Sequence, residues 1–400
     1  MCGRSRDLRV PMMMAHSHTF RNFVLALLFL FTVSSESNAA ELHQTWSSVR
    51  AMGMGGAYTA VVDDGDALFY NPAALSKVSG VEWTIMDPRI GVNGPQALEV
   101  AAIASSGSTL ADTLTDLYGK AIWVGGGGKT SFVMPNFGFA AFSNGDVGVN
   151  LQNPAFPELN LNYVFDYGIA LGGAIDFIPN VWSIGLVAKR LNRTGTNLPV
   201  GPSVLASLDI ESIKDQLKNR GTGYGLDIGT MLTIPSPIQP TLSFSIRNFG
   251  YTSFTFEEGV QAPPRSEPDM TLGGSLTFDT PVFNITTAMD YRFLDRADIQ
   301  MGKKLHLGVE FDLPLLQLRA GLNQGYYTAG ATFDMGVLAL DAATYGVELG
   351  EYPGQLEDRR YVVQMTLQIG LDLGLFGGSS SGGSGSSGGS ANRRKLKQRR

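Results

Sequence analysis

Between Tyr361 and Leu375 every odd position is apolar: Tyr361, Val363, Met365, Leu367, Ile369, Leu371, Leu373 and Leu375. The even positions are Gln364, Thr366, Gln368, Gly370, Asp372 and Gly374, with Val362 the one apolar exception. A period of two over this length describes an extended strand with one greasy and one wet face. Strands of soluble proteins average about five or six residues, whereas a tilted strand crossing a bilayer needs about nine to eleven. The long pattern recurs along the chain, so the expected fold class is an all-β transmembrane barrel.

Bulk properties agree with this reading and remove others. Only 16% of the 400 residues are charged, against a typical ~25%. Glycine is abundant, at 49 residues. A mean hydropathy near zero excludes a bundle of apolar helices but not a barrel, whose two faces cancel on averaging. The one continuous apolar run, Phe23 to Val33, is too short to span as a helix, and it leads to the small residues Asn38-Ala39-Ala40. Residues 1–40 therefore read as a secretory signal peptide. The single cysteine, Cys2, lies within it, which leaves the mature chain without a disulfide, a thiolate nucleophile or a cysteine metal site. From 41 to 376 the chain carries 20 Lys+Arg and 34 Asp+Glu, a net of −14, which argues against a nucleic-acid partner.

Four regions follow: the signal (1–40), a Gly-rich amino-terminal box (41–80), a strand-rich body (81–376) and a tail (377–400). The tail runs through Gly and Ser to Arg393, Arg394, Lys395, Lys397, Arg399 and Arg400; its composition is that of a flexible linker with a basic end. The body offers fourteen strand candidates, at 81–87, 130–143, 147–153, 161–177, 181–193, 221–234, 240–251, 269–279, 282–293, 304–313, 315–323, 326–335, 336–346 and 359–375. Short connections are expected at Asn144-Gly145-Asp146, Ile178-Pro179-Asn180, Ser236-Pro237, Asp279-Thr280-Pro281, Leu313-Pro314 and Met335-Gly336. They alternate with mostly longer ones, as periplasmic turns alternate with external loops in outer-membrane barrels. An even count puts the mature amino terminus and the tail together on the periplasmic side. With that topology Tyr163, Tyr224, Tyr251, Tyr291, Tyr327, Tyr345 and Tyr361 gather at the external ends. Phe177, Trp182, Phe278, Phe283, Phe311, Phe333 and Phe376 gather at the other, as two aromatic girdles against lipid headgroups.

Charges on the strands fall on the polar phase: Asp166, Asp176, Lys189, Asp227, Arg247, Asp290, Arg292, His306, Glu310, Arg319, Asp334 and Asp341. A Lys or Arg turned to lipid near the midplane costs about 2–4 kcal/mol, so these side chains are expected to face the lumen. Both signs are interspersed, which favours bracing and solvation over a selective path. Two stretches, 97–118 and 204–220, read as helices in external loops. The second is amphipathic, with Leu205, Leu208, Ile213 and Leu217 on one side.

The box holds Arg50-Ala-Met-Gly-Met-Gly-Gly-Ala-Tyr58, then Asp63-Asp64 and Asn71-Pro72-Ala73. It lacks the third glycine and the βαβ context of a nucleotide loop, and Asp63-Asp64-Gly65-Asp66 lacks the spacing and closing Glu of a calcium loop. Glycine box, paired Asp and Asn-Pro-Ala, in that order before a first strand, resemble the amino-terminal hatch of FadL-type outer-membrane barrels. Their relatives include the PorV/PorQ group associated with type IX secretion and a TraF-like group. The fourteen-strand count is similar too, while the Gly/Ser-basic tail departs from the pattern. The resemblance implies a barrel plugged by its own amino terminus, through which fatty-acid-like molecules pass and leave sideways. Gly53, Gly55 and Gly56 would let the hatch backbone approach the wall, and Asn71 with Pro72 would fix the turn into the first strand.

No cofactor or metal is expected, and an enzyme is disfavoured. Past the signal the histidines are His43 and His306, with no nucleophile placed beside them. Three readings stay open: a transporter for hydrophobic small molecules, a structural or secretion-accessory barrel with a partner outside the membrane, and an open diffusion pore. Membrane lipid is a partner in all three.

Overall fold

The computed structural model describes residues 43–94, 121–152, 158–200, 219–256, 261–280 and 283–371. The signal, the expected helix at 97–118, nearly all of 204–220, Phe376 and the tail lie outside the described residues.

Among the described residues, sixteen stretches of strand pair into one sheet. Two of them, Val81–Met86 and Arg89–Val92, are halves of a single interrupted strand, β1, and Phe254–Thr255 is a two-residue branch beside Arg220–Thr233. Fourteen barrel strands remain. After β1 come β2 (Ala121–Met134), β3 (Phe137–Gln152), β4 (Glu158–Ile178), β5 (Trp182–Val200), β6 (Arg220–Thr233) and β7 (Thr241–Arg247). The second half is β8 (Asp269–Asp279), β9 (Asn284–Tyr291), β10 (Leu305–Asp312), β11 (Leu316–Asn323), β12 (Tyr326–Asp334), β13 (Leu338–Glu348) and β14 (Glu357–Leu371). Every pairing is antiparallel between neighbours in sequence, and β1 closes the cylinder by bonding both β14 and β2.

The register departs from the sequence reading at the start of the barrel. Asn144-Gly145-Asp146 is not a turn: Asn144 pairs with Gly127 and Asp166 in mid-sheet. The chain reverses at Pro135-Asn136 instead, where Asn136 takes φ 68°, a left-handed conformation that Asn tolerates better than most residues. Residues 88–129 are likewise not one long loop, because Arg89–Val92 continues β1 beyond Asp87-Pro88 and β2 begins at Ala121. Pro88 lacks the N–H a ladder needs, and the pairing with β14 shifts register between Thr84 and Met86.

Outward residues form an apolar belt that a bilayer would solvate more readily than water. Ile169, Leu171, Leu242, Met289, Leu318, Leu340 and Val363 are among its exposed members. Tyr224 and Tyr327 stand exposed at the long-loop end, while Phe177, stacked on Trp182 at 5.0 Å, and Phe333 mark the short-turn end. Tyr345 does not belong to this girdle. It points inward and is buried with Val49, Trp123, Ala343, Val347 and Val362, so the apolar exception Val362 serves an internal cluster. No helix among the described residues is long and apolar enough to cross a membrane.

Residues 43–80 fill the interior. Two short helices, α1 (Val49–Gly53) and α2 (Ala67–Tyr70), and a 3-10 turn at Pro72–Lys77 are almost wholly buried. Leu68, Phe69, Tyr70 and Leu75 form a core with the inward Val133, Ala140, Phe142, Ala170 and Val187. Burying a Leu or Phe side chain contributes about 1.5–3 kcal/mol, so this internal segment is a packed body.

Candidate functional site

The internal segment meets the wall through three kinds of contact, each on a different arc of the cylinder. On the β10–β12 arc the contact is ionic. Arg50, in α1, donates from Nε and Nη2 to both carboxylate oxygens of Glu310 at 2.8 and 2.7 Å. Its Nη1 reaches Asp63 at 2.7 Å, Tyr58 Oη at 3.1 Å and Asp64 at 3.5 Å. Arg319 approaches Glu310 from the wall at 2.7 Å. Burial opposes the charge of Arg50, but Glu310 and Asp63 hold its pKa well above the ordinary value. Asp64 is pushed up to about 7, first by burial and then by the charge of Asp66.

The same arc receives the glycine box. Gly55 and Gly56 have φ of +67° and +82°, and a Cβ on Gly55 would stand 2.4 Å from Leu307 O. Gly53 lies against Gly330, and the wall glycines Gly308 and Gly321 give their space to Met54. The neighbouring histidine bonds this backbone, with His306 Nδ1 2.8 Å from Gly55 O. Asp290 Oδ2 accepts from the backbone N–H of both Tyr58 and Thr59 at 2.9 Å.

On the β5–β6 arc the contact is one of shape. Asn71 Oδ1 accepts from Ala73 N at 3.1 Å and opens the 3-10 turn. Its Nδ2 donates to Thr59 O at 3.2 Å and to Thr230 O at 3.4 Å. A Cβ on wall residue Gly229 would overlap Asn71 Oδ1 at 2.0 Å, and one on Gly185 would meet Pro72 at 2.3 Å. Asn71-Pro72-Ala73 thus sits in a socket that two glycines leave open.

The third contact anchors the first described residues to β2–β5. His43 bridges Asp146 at 3.2 Å and Asp166 at 3.1 Å, and Arg193 holds Asp166 in a two-pronged pair at 2.7 Å. Burial alone would lower the pKa of His43, but the two carboxylates raise it to about 9. Trp46 Nε1 donates to Asp66 at 3.0 Å, which also pairs with Lys129, itself 3.0 Å from Asp87. The remaining lumen charges pair within the wall: Lys189 with Asp227 at 2.6 Å, and Arg247 and Arg292 with Asp269.

Asp166, Lys189, Asp227, Arg247, Asp290, Arg292, His306, Glu310 and Arg319 are all buried on the inner face, but they form several clusters and not one site. Sequence reasoning missed His43, Trp46, Asp66 with Lys129, and Asp87. Their partners are 20 to 123 residues away in sequence, and no local motif marks them.

Two cavities flank the segment. One of about 180 Å³, at the long-loop end, is floored by Trp46 and Phe69 and bordered by Lys189, Arg193 and Phe293. The other, of about 150 Å³, opens at the short-turn end among Asp63, Asp64, Glu82 and Asp341. Between them lie edge-on pairs of rings, Phe69 on Phe142 at 4.9 Å and Tyr58 on Tyr70 at 5.0 Å.

No protein-family model matches the chain, and no curated protein matches it in sequence. Among solved structures, the CymD monoaromatic hydrocarbon channel is similar at TM-score 0.50 and 9% identity, over 83% of this chain and 99% of that one. The toluene transporter TbuX of Ralstonia pickettii is similar at 0.49 and 9%, over 82% and 99%. A FadL homologue of Pseudomonas aeruginosa is similar at 0.43 and 10%, over 84% and 99%. The chain shares the barrel fold of CymD over most of both molecules.

Proposed function

We propose that this protein is an outer-membrane barrel that passes hydrophobic small molecules, and that residues 43–80 are a hatch that must shift for passage. The observation that carries this reading is the filling of the lumen. Residues 43–80, which are no part of the sheet, pack inside the barrel, and their contacts with the wall are mostly side-chain and close-packing ones. Such a stopper can move without breaking a strand ladder. The likeness to CymD, described as a monoaromatic hydrocarbon channel, supports a hydrophobic cargo, and Trp46, Phe69 and Phe293 would offer it an aromatic floor. In this reading the short turns, the mature amino terminus and the tail face the periplasm.

Two observations favour a second reading, a non-transporting barrel that serves secretion or surface attachment, as in PorV-like or TraF-like proteins. Among the described residues every barrel strand is bonded to both neighbours, and both cavities carry charged groups. The test is uptake of labelled toluene or a labelled long-chain fatty acid by outer-membrane vesicles with and without the protein, paired with mass spectrometry of lipids extracted from purified protein. Transport predicts uptake several-fold above protein-free vesicles. Equal uptake, an empty protein and a co-purifying secretion component would sink it in favour of the second reading.

A further inference from the structure

One arginine breaks the rule that sorts the wall charges. On β5 the side chains of Lys189, Leu191 and Arg193 are buried on the inner face. Arg190, set among them on the opposite phase, points outward and is exposed. Trp182 marks the short-turn edge of the belt eight residues earlier on the same strand. Eight residues of strand cover about 26 Å, and a tilt of about 40° leaves about 20 Å of height in a belt about 25 Å tall. Arg190 therefore stands near the long-loop edge, level with Tyr224, its partner in the ladder. An arginine turned to lipid is costly at mid-bilayer and nearly free at the edge, where headgroups meet it.

Among the described residues nothing answers this charge. The ladder neighbours of Arg190 are Ile169 on β4 and Tyr224 on β6. Outward side chains from Phe165 to Phe177 on β4, Trp182 to Thr194 on β5 and Thr222 to Leu232 on β6 include no carboxylate. Arg359, also turned outward near the long loops, is by contrast satisfied. Its Nη1 donates to Tyr327 O at 2.6 Å, its guanidinium lies 3.8 Å from the Tyr327 ring, and Glu357 pairs with Nη2. The polar groups around Arg190 are further donors. Thr222 Oγ1 donates to Asn192 Oδ1 at 2.8 Å, which leaves the Asn192 Nδ2 to seek an acceptor elsewhere. Tyr167, opposite Asn192 in the ladder, and Tyr224 are exposed, and their hydroxyls are unbonded among the described residues.

We propose that this outward face of β4–β6 binds a phosphate-bearing lipid in the leaflet at the long-loop end. Phosphate oxygens are acceptors, and the guanidinium, the amide and the two phenols can each donate. The planar fork of an arginine suits two phosphate oxygens at once. Toward the bilayer centre from Arg190, Ala188 lies between Leu171 and Leu226 in the ladder. Its short side chain leaves a shallow furrow along which one acyl chain runs, a contact that a free anion could not use. The proposal rests on the reading that the barrel spans a bilayer, and not on what the barrel passes.

The test is native mass spectrometry of the full mature protein released from detergent micelles, after titration with phosphatidylglycerol or phosphatidylcholine. The protein is expected to keep one phosphatidylglycerol several-fold more often than one phosphatidylcholine. Arg190→Gln should weaken that retention about tenfold, as the loss of one charge-assisted hydrogen bond does. Arg190→Lys keeps the charge without the fork and should recover part of it, which guards against a folding defect in the Gln variant. Arg359→Gln, at a cation that already has partners, should retain lipid like the native protein. Equal retention by the native protein and Arg190→Gln would overturn the proposal, and so would an equal loss in Arg359→Gln. Displacement of the lipid by inorganic phosphate would overturn it in favour of a water-facing anion site. A mature protein that stays dissolved without detergent and keeps neither lipid would sink the bilayer reading, and the proposal with it.

Discussion

Glu310 is fully buried and answers two arginines at once, Arg50 from the internal segment and Arg319 from the wall. Removing one partner of a buried ionic cluster costs about 3–5 kcal/mol, because the other charges stay behind without a counter-ion. Glu310→Ala is therefore expected to loosen the internal segment far more than Glu310→Ala combined with Arg50→Met and Arg319→Met. Hydrogen exchange of residues 49–58 measures it, and equal protection in the two variants would refute the ionic tie. His43 makes a pH-dependent contact. Its folded pKa of about 9 lies above the ordinary 6.5, so its contribution is fully present below pH 6.5 and is lost as the pH rises through 9. Exchange near residues 43–48 should quicken between pH 7 and 10 in the native protein. The His43→Gln variant should show no such titration beyond the intrinsic base catalysis of exchange.

Glu348, at the end of β13, shows one side chain organising an element. Its carboxylate accepts from the backbone of Gly350, Gly354, Gln355 and Leu356 and from Tyr326 Oη, all between 2.6 and 3.0 Å. Glu348→Ala leaves these donors unmet, at about 1–3 kcal/mol for each one that stays buried, and is expected to make 349–356 a new cleavage site in limited proteolysis. Unchanged resistance would show that water replaces the carboxylate. The sequence did not mark Glu348, because its partners are loop backbone with no pattern. Strand number, face and most turns were legible because alternation is enforced on every strand between lipid and lumen. The reading failed where that rule lapses. Gly125–Gly128 have no side chains to alternate, Pro88 interrupts β1, and the Asn-Gly pair at 144–145 mimics a hairpin signal while lying in mid-strand. The internal segment showed its glycines and Asn-Pro-Ala, but the complementary glycines Gly185, Gly229, Gly308 and Gly321 are scattered over the wall. Only the closed cylinder brings them opposite their partners.

At the scale of the whole molecule, residues 43–80 pack inside the barrel and line both cavities, one at each end. The sheet closes on itself without help from residues 43–80, since β1 bonds β14 and β2 directly. Deleting 43–77 should therefore leave a folded barrel while removing Trp46, Tyr58, Leu68, Phe69, Tyr70 and Leu75 from the lumen. What then faces the channel near the short turns is Glu82, Asp87, Asp334 and Asp341, against Lys129 and Arg319. Like-signed groups at a narrow mouth raise the local concentration of the opposite ion. In planar bilayers the intact protein is expected to show no steady conductance. The deletion variant should open in large, stable steps, with a reversal potential in a salt gradient that favours cations. Circular dichroism of the variant must keep its strand signal for the comparison to count. If the strand signal persists and the bilayer stays silent, residues outside 43–77 block the lumen, and the internal segment is a brace for the wall instead of its stopper.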